Sequence, residues 1–144
     1  MLTPTASLLT DKVAVVTGGG DAIGKAICLA YAAYGAAVVV AEIDEARAEE
    51  TVAEINAIGG RATAVVTDVR DRGQVASMAD AAFAEYGRVD ILVNNVGDYL
   101  ALQKPFLETQ EEEWETLYQI NLRTASSAAR RSRHGSSKAA TEAA

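Results

Sequence analysis

Cysteine is nearly absent. The 144 residues hold one, Cys28, so no internal disulfide can form, and the composition suits a reducing compartment. Cys28 falls in an apolar helical pattern, which gives it the role of a core side chain rather than a reactive thiol. Long hydrophobic runs are missing too. The nearest, the uncharged Ala26–Ala41, is shorter than the roughly 20 residues a bilayer crossing needs, and Gly35 interrupts it. The opening MLTPTASLLTDK lacks the basic start and the apolar stretch of a secretory leader. A soluble cytoplasmic protein with no membrane partner is expected. Basic side chains are outnumbered, 13 Lys and Arg against 20 Asp and Glu, for a net charge of −7. Without clustered Lys and Arg there is no footprint for a phosphate backbone, so nucleic acid is not expected as a partner. No metal is expected.

The last absence is local. From Arg123 to Ala144 there is no Val, Ile, Leu, Phe, Met, Tyr or Trp, so no buried strand can be drawn there. Charge changes at the same point. Residues 1–122 carry 8 basic and 19 acidic side chains, whereas 123–144 carry 5 and 1. The chain therefore divides into a body, 1–124, and an Ala/Ser/Arg-rich basic tail, 125–144, for which a solvated end is the plain reading.

What the body contains is a repeating alternation. Apolar residues at 49% and charged residues at 23% match a folded globular chain, and the length suits one domain. VAVVT (13–17) runs into glycines and then into Ile23, Ile27, Ala30, Tyr31 and Tyr34 at helical spacing. AAVVVA (36–41) predicts a second strand, 44–60 a second helix, ATAVVTDV (62–69) a third strand and 71–87 a third helix. DILVNN (90–95) predicts a fourth strand. Strands without polar alternation, separated by helices, predict a doubly wound parallel α/β sheet, four strands in the order 3-2-1-4, with both strand faces covered. EEEWETLYQINLRT (111–124) predicts a further helix, acidic in its first turn, with Trp114, Leu117, Ile120 and Leu122 as a packing face.

TGGGDAIG (17–24) lies between the first strand and its helix, where backbone N–H groups and the helix dipole make an anion site for a pyrophosphate. Its spacing is not the strict G-x-G-x-x-G. Glu42 ends the second strand, 18 residues after Gly24. A carboxylate there can accept hydrogen bonds from an adenosine ribose and repel a 2′-phosphate. No Arg or Lys lies in 17–24 or 42–46 to pair with such a phosphate, and Asp21 would oppose one. NAD is expected over NADP.

TGGGDAIG, DV at 68–69, NNVG at 94–97 and Asn121 on the Trp114 helix, in this order, resemble the motif set of the short-chain dehydrogenase/reductase family. The likeness covers residues 10–124, including GRVD, ILVNN and EEEWETLYQINL. It implies a Rossmann-like dinucleotide-binding domain at 1–124 and hydride transfer between NAD and an alcohol or carbonyl substrate. It places Gly18, Ile23 and Gly24 at the phosphate turn, with Ala22 where the family usually has glycine. It further implies Asp68 at the adenine with Val69 beside it, and Asn94 and Asn95 at the cofactor ribose. The family's proton donor is a Tyr in Y-x-x-x-K, oriented by a Ser after a fifth strand and supported by an Asn, here Asn121.

HGSSKAATEAA resembles that active-site helix with His134 in the Tyr position and Lys138 in the Lys position. Only 12 residues separate Asn121 from His134, against the 30 or so of a βαβ unit. The fifth strand and its Ser are expected to be missing, as is the C-terminal substrate half. Catalysis by His134 and Lys138 is then hard to place, since a histidine of suitable pKa still needs a fixed position. An oxidoreductase, an inactive dinucleotide-binding or subunit-association module, and a truncated family member all remain open. A homo-oligomer is expected, because the fourth strand would be an uncovered edge and the Trp114 helix packs between subunits in the family.

Overall fold

Valine and alanine runs that lack polar alternation end up buried on both sides. In the computed structural model, which describes residues 8–97 and 105–123, they form β1 (Val13–Thr17) and β2 (Ala37–Glu42), and every residue of both is buried. β3 (Arg61–Val66) and β4 (Ile91–Val93) flank them, half-buried along most of their length. All pairs are parallel and the order is β3-β2-β1-β4, with Val15 aligned to Val39 on one side and to Leu92 on the other. The class and strand order are those expected. Burial on both faces holds for the central pair only. β3 also stops three residues early, because Asp68 begins a turn, with its carbonyl accepting from the Asp71 amide at 3.0 Å.

Pleating sends alternate side chains to opposite layers. Val16, Val38 and Val40 pack with Cys28 and Ala32 of α1 (Ala22–Ala33) and with Ala48, Val52 and Ile55 of α2 (Glu45–Ala57). Val15, Val39 and Ala41 pack with Val75, Met78 and Ala82 of α3 (Arg72–Tyr86). Each of these helices starts on an aspartate, Asp21, Asp44 or Asp71, whose carboxylate accepts a backbone N–H of the first turn. Cys28 is fully buried, and burial pushes its thiol up to about 12, as suits a core residue. No helix among the described residues is long and apolar enough to cross a membrane.

The apolar spacing that marks the first helix does not name its contact face. α1 meets the sheet through Gly24, Cys28 and Ala32, while Ile23 is 71% exposed. Small residues let the helix lie close, so the bulkier Ile27 and Tyr31 pack from its flank. After a 3-10 turn at Phe106–Glu108 comes α4 (Glu111–Tyr118), which continues as a π-helical turn at Gln119–Arg123. Gln110 and Glu113 form a capping box at its start. None of its residues is buried, and Trp114 and Leu122 are exposed, with Leu117 and Ile120 half-buried. Four of the eight residues of α4 are glutamates, and its apolar side chains are not buried within the chain.

β4 is tied to β1 at its start by Asp90. Its Oδ2 accepts from the Val13 amide at 2.9 Å and from Arg88 Nε at 2.8 Å, and Lys12 Nζ stands 3.8 Å from Oδ1. Burial opposes ionisation of this carboxyl, but Arg88, the Val13 amide and Lys12 outweigh it and hold the pKa below 3.8. A depressed carboxyl pKa stabilises the fold above its ordinary value and loses that contribution as pH falls through the depressed one. Asp90→Asn should therefore cost about 1–3 kcal/mol in urea unfolding at pH 7, with the gap closing as pH drops below 3.8. Equal stability of variant and natural chain at pH 7 would remove Asp90 from this role.

Candidate functional site

In a parallel sheet the strand ends of one sign gather on one side, and a crevice opens where the connections diverge. Here that point is β1, with β2 on one flank and β4 on the other. A cleft of about 480 Å³ lies there. Gly18 lines it from the β1–α1 turn, Glu42 from the end of β2, Asp68 and Val69 from beyond β3, Asn95 from beyond β4, and Ile120 from the π-helical turn.

The turn is built around backbone proximity. Gly18 has φ +64°, a conformation that favours glycine, and a Cβ on Gly24 would lie 1.9 Å from the Gly18 carbonyl oxygen. Asp21 Oδ1 accepts from the Ala22 amide at 2.7 Å. Ala22 itself has φ +44°, which for an L residue costs roughly 1–2 kcal/mol. A glycine at this position would carry no such cost, so the departure from the usual residue is a backbone matter as well as a matter of bulk.

Thr17 and Asn95 join the ends of β1 and β4. Thr17 Oγ1 donates to the Val93 carbonyl at 3.3 Å and accepts from the Asn95 amide at 3.1 Å. Asn95 Nδ2 donates to the carbonyls of Thr17 (3.1 Å) and Gly18 (3.3 Å). Glu42 joins the turn to α2. Its Oε2 accepts from the Gly20 amide at 3.1 Å, and its Oε1 from the amides of Ile43 (2.9 Å) and Asp44 (3.4 Å). With one bond made, Oε2 keeps a second acceptor site. Asp68 is held by Arg70, whose guanidinium keeps the carboxyl below its ordinary value of 3.8.

The structure thus gathers Gly18, Glu42, Asp68, Val69 and Asn95 at one cleft. Asp21, Ala22 and Gly24 shape the turn beside it, and the side chains of Ile23 and Asn94 are exposed outside its lining. Asn121 follows the lining residue Ile120. Its Nδ2 donates to the Leu117 carbonyl at 2.9 Å, and its Oδ1 would stand 2.9 Å from a Cβ on Gly97. His134 and Lys138 lie outside the described residues. Among those described, no cluster of three or more metal-ligating side chains occurs.

Two charged lining residues escaped the sequence reading, Arg47 and Arg70. Arg47 stands one position beyond the 42–46 window searched for a basic partner, and the first turn of α2 swings it back over the strand end. Its guanidinium is 3.5 Å from Asp21 and 3.7 Å from Asp44. A window extended through the first helical turn after Glu42 would have found it.

These residues fit a dinucleotide: a turn with no room for side chains, amides at a helix start, and a strand-end carboxylate with a spare acceptor. Comparison with known proteins points the same way. A sequence model of the family described as short chain dehydrogenase matches residues 12–139. A probable oxidoreductase, EphD, of Mycobacterium tuberculosis is 41% identical over 112 residues, covering 78% of this chain and 19% of that protein. An uncharacterized oxidoreductase of Thermotoga maritima is 43% identical over 115 residues, covering 80% and 44%. Among solved structures, a hydroxysteroid dehydrogenase from Escherichia coli superposes with a TM-score of 0.81 at 34% identity, over 88% of this chain and 53% of that one. A 7α-hydroxysteroid dehydrogenase complexed with NADH and 7-oxo glycochenodeoxycholic acid gives 0.81 at 32% identity, over 92% and 50%. The chain spans about half the length of these solved relatives.

The turn makes two opposite expectations. Ala22→Gly removes the left-handed penalty at the cost of a more flexible unfolded chain, for a net gain of about 0.5–1 kcal/mol. Gly24→Ala drives a methyl group into the Gly18 carbonyl and should cost about 3 kcal/mol. Urea unfolding followed by circular dichroism reads both, and a loss of stability in Ala22→Gly would contradict the strain.

Proposed function

The chain belongs to the short-chain dehydrogenase/reductase family of oxidoreductases, and from that premise we propose that residues 1–124 bind a nicotinamide adenine dinucleotide, NAD in preference to NADP. The observation that carries the preference is Glu42, 8% exposed at the cleft with one Oε2 acceptor site open. That site can take a ribose hydroxyl, while the charge opposes a 2′-phosphate. The amides of the turn around Gly18 take the pyrophosphate, Asp68 the adenine amino group, and Asn95 the second ribose. A bound nicotinamide supplies the hydride donor or acceptor for an alcohol or carbonyl substrate. Arg47 favours a second reading, NADP, because it lines the same cleft and could turn from Asp21 and Asp44 to a phosphate.

Proton transfer would fall to His134 and Lys138 in the proposed tail, 125–144, with Asn121 in support. No apolar strand can be drawn between Asn121 and His134 to present a Ser, so we assign this chain binding without efficient turnover. Titration calorimetry should give tighter binding of NADH than of NADPH. Glu42→Gln, which keeps an acceptor for the Gly20 amide, should narrow that gap several-fold. NADH oxidation over a panel of ketones and aldehydes should stay at background. Equal affinities in the natural chain would favour the Arg47 reading, and robust turnover would make His134 the acid to pursue.

Assembly follows from β4, which among the described residues pairs with β1 alone. A strand edge unpaired among the described residues, together with an exposed Trp114 and Leu122, invites a second copy. Light scattering should show a homo-oligomer at micromolar concentration, and a stable monomer there would refute it.

A further inference from the structure

Asp68 and Arg70 both line the cleft, and they are bonded to one another. The Arg70 amide donates to Asp68 Oδ1 at 2.9 Å, and Nε donates to Oδ1 at 2.9 Å and to Oδ2 at 3.1 Å. Nη2 donates to Oδ2 at 2.7 Å. A carboxylate offers about four lone-pair sites, and three N–H groups, with the single Nε hydrogen shared between the oxygens, engage both Oδ1 and Oδ2. A ligand that brings a hydrogen-bond donor to Asp68 therefore meets two oxygens already engaged and competes with the guanidinium for them.

The two partners differ in freedom. Asp68 is anchored, since its amide donates to Gln74 Oε1 at 2.8 Å and its side chain is 25% exposed. The Arg70 side chain is 61% exposed and can swing into solvent. Glu42, in the same cleft, keeps an open acceptor. The cleft is thus ready for a hydroxyl at Glu42, whereas a donor at Asp68 must compete with Arg70.

We propose that Arg70 is an internal occupant of the Asp68 carboxylate, a positioning residue whose release opens that carboxylate to the amino group of an adenine base and so sets the affinity of the cleft for the adenine end of its ligand. This rests on the dinucleotide reading above. Exposed ion pairs are weak in water, so the occupant lowers affinity by about two- to fivefold rather than blocking binding. The lowered pKa of Asp68 agrees with an occupied carboxylate.

The test compares the natural chain with Arg70→Ala, Arg70→Lys, Asp68→Asn and the Arg70→Ala, Asp68→Asn double variant. Calorimetry is run with NADH, with AMP, and with reduced nicotinamide mononucleotide, which has no adenine. Arg70→Ala should bind AMP and NADH about two- to fivefold tighter and the mononucleotide unchanged. Arg70→Lys, which cannot fill both oxygens, should fall between, and the gain should vanish in the double variant. NMR titration of the Asp68 carboxyl reads the pair without any ligand, and should move up toward 3.8 in Arg70→Ala. Unchanged or weaker AMP binding, or a gain that persists in the double variant, overturns the proposal while NADH binding keeps the dinucleotide reading intact. A titration that does not move shows Arg70 to be elsewhere in solution and overturns it too. Failure of every variant to bind any of the three ligands overturns both.

Discussion

The carbonyl oxygen of Gly18 is hemmed in from two directions. Asn95 Nδ2 donates to it at 3.3 Å, and Gly24 comes so near that even a methyl group there would sit 1.9 Å away. That one crowded atom sets where α1 may begin. The start of α1 in turn places Asp21, and Asp21 faces Arg47 on α2. The neighbouring glycines repeat the theme with other partners: a Cβ on Gly19 would meet Cys28 Sγ at 2.9 Å, and one on Gly20 would meet Glu42 Cγ at 2.7 Å. The turn is therefore wedged among β4, α1 and the β2–α2 junction at once. A bulkier side chain at any of these positions would push apart elements that the cleft needs together.

A second layer of organisation is electrostatic. The rim of the cleft carries carboxylates in excess, Asp21, Asp44, Glu42 and Asp68, with two guanidiniums folded among them. Each carboxylate either caps backbone amides or pairs with an arginine. Such a rim suits a ligand rich in hydroxyl and amino donors, while its arginines give limited tolerance for added negative charge. Selectivity then depends on which partners each arginine keeps, and less on the number of charges present.

The layered sheet was legible because its signal is redundant. β-branched runs, glycine stops and helical patterns recur four times, and a slip in any one leaves the order intact. Spacing marked α1 as a helix and Cys28 as core, but the close contact with the sheet is made by Gly24, Cys28 and Ala32, while Ile23 is exposed. In α4 the apolar letters were present, but the glutamates between them left only Leu117 and Ile120 partly covered. Gly18 and Glu42 could be found from their places after and at the end of a strand, and Asp68 and Asn95 from the family resemblance. Arg47 needed a window one helical turn longer, and Arg70 could not be found, since its place in the cleft comes from how far a flexible side chain folds back, and spacing along the chain does not encode that.

β1 is the earliest strand in the chain, and it lies between two others. Its pairing with β2 begins at Val13 and Ala37, whereas Asp90 reaches the Val13 amide across 77 positions. Closing the longer loop costs about 1 kcal/mol more in chain entropy than closing the shorter, and β4 offers only three residues in return. The two walls of the cleft therefore differ in age. The wall bearing Glu42 and Asp68 rests on local pairings that form quickly, and the wall bearing Asn95 and Val96 waits for the most distant contact in the sheet. On a growing chain the wall bearing Glu42 and Asp68 would exist as a shaped surface before its opposite wall had been synthesised.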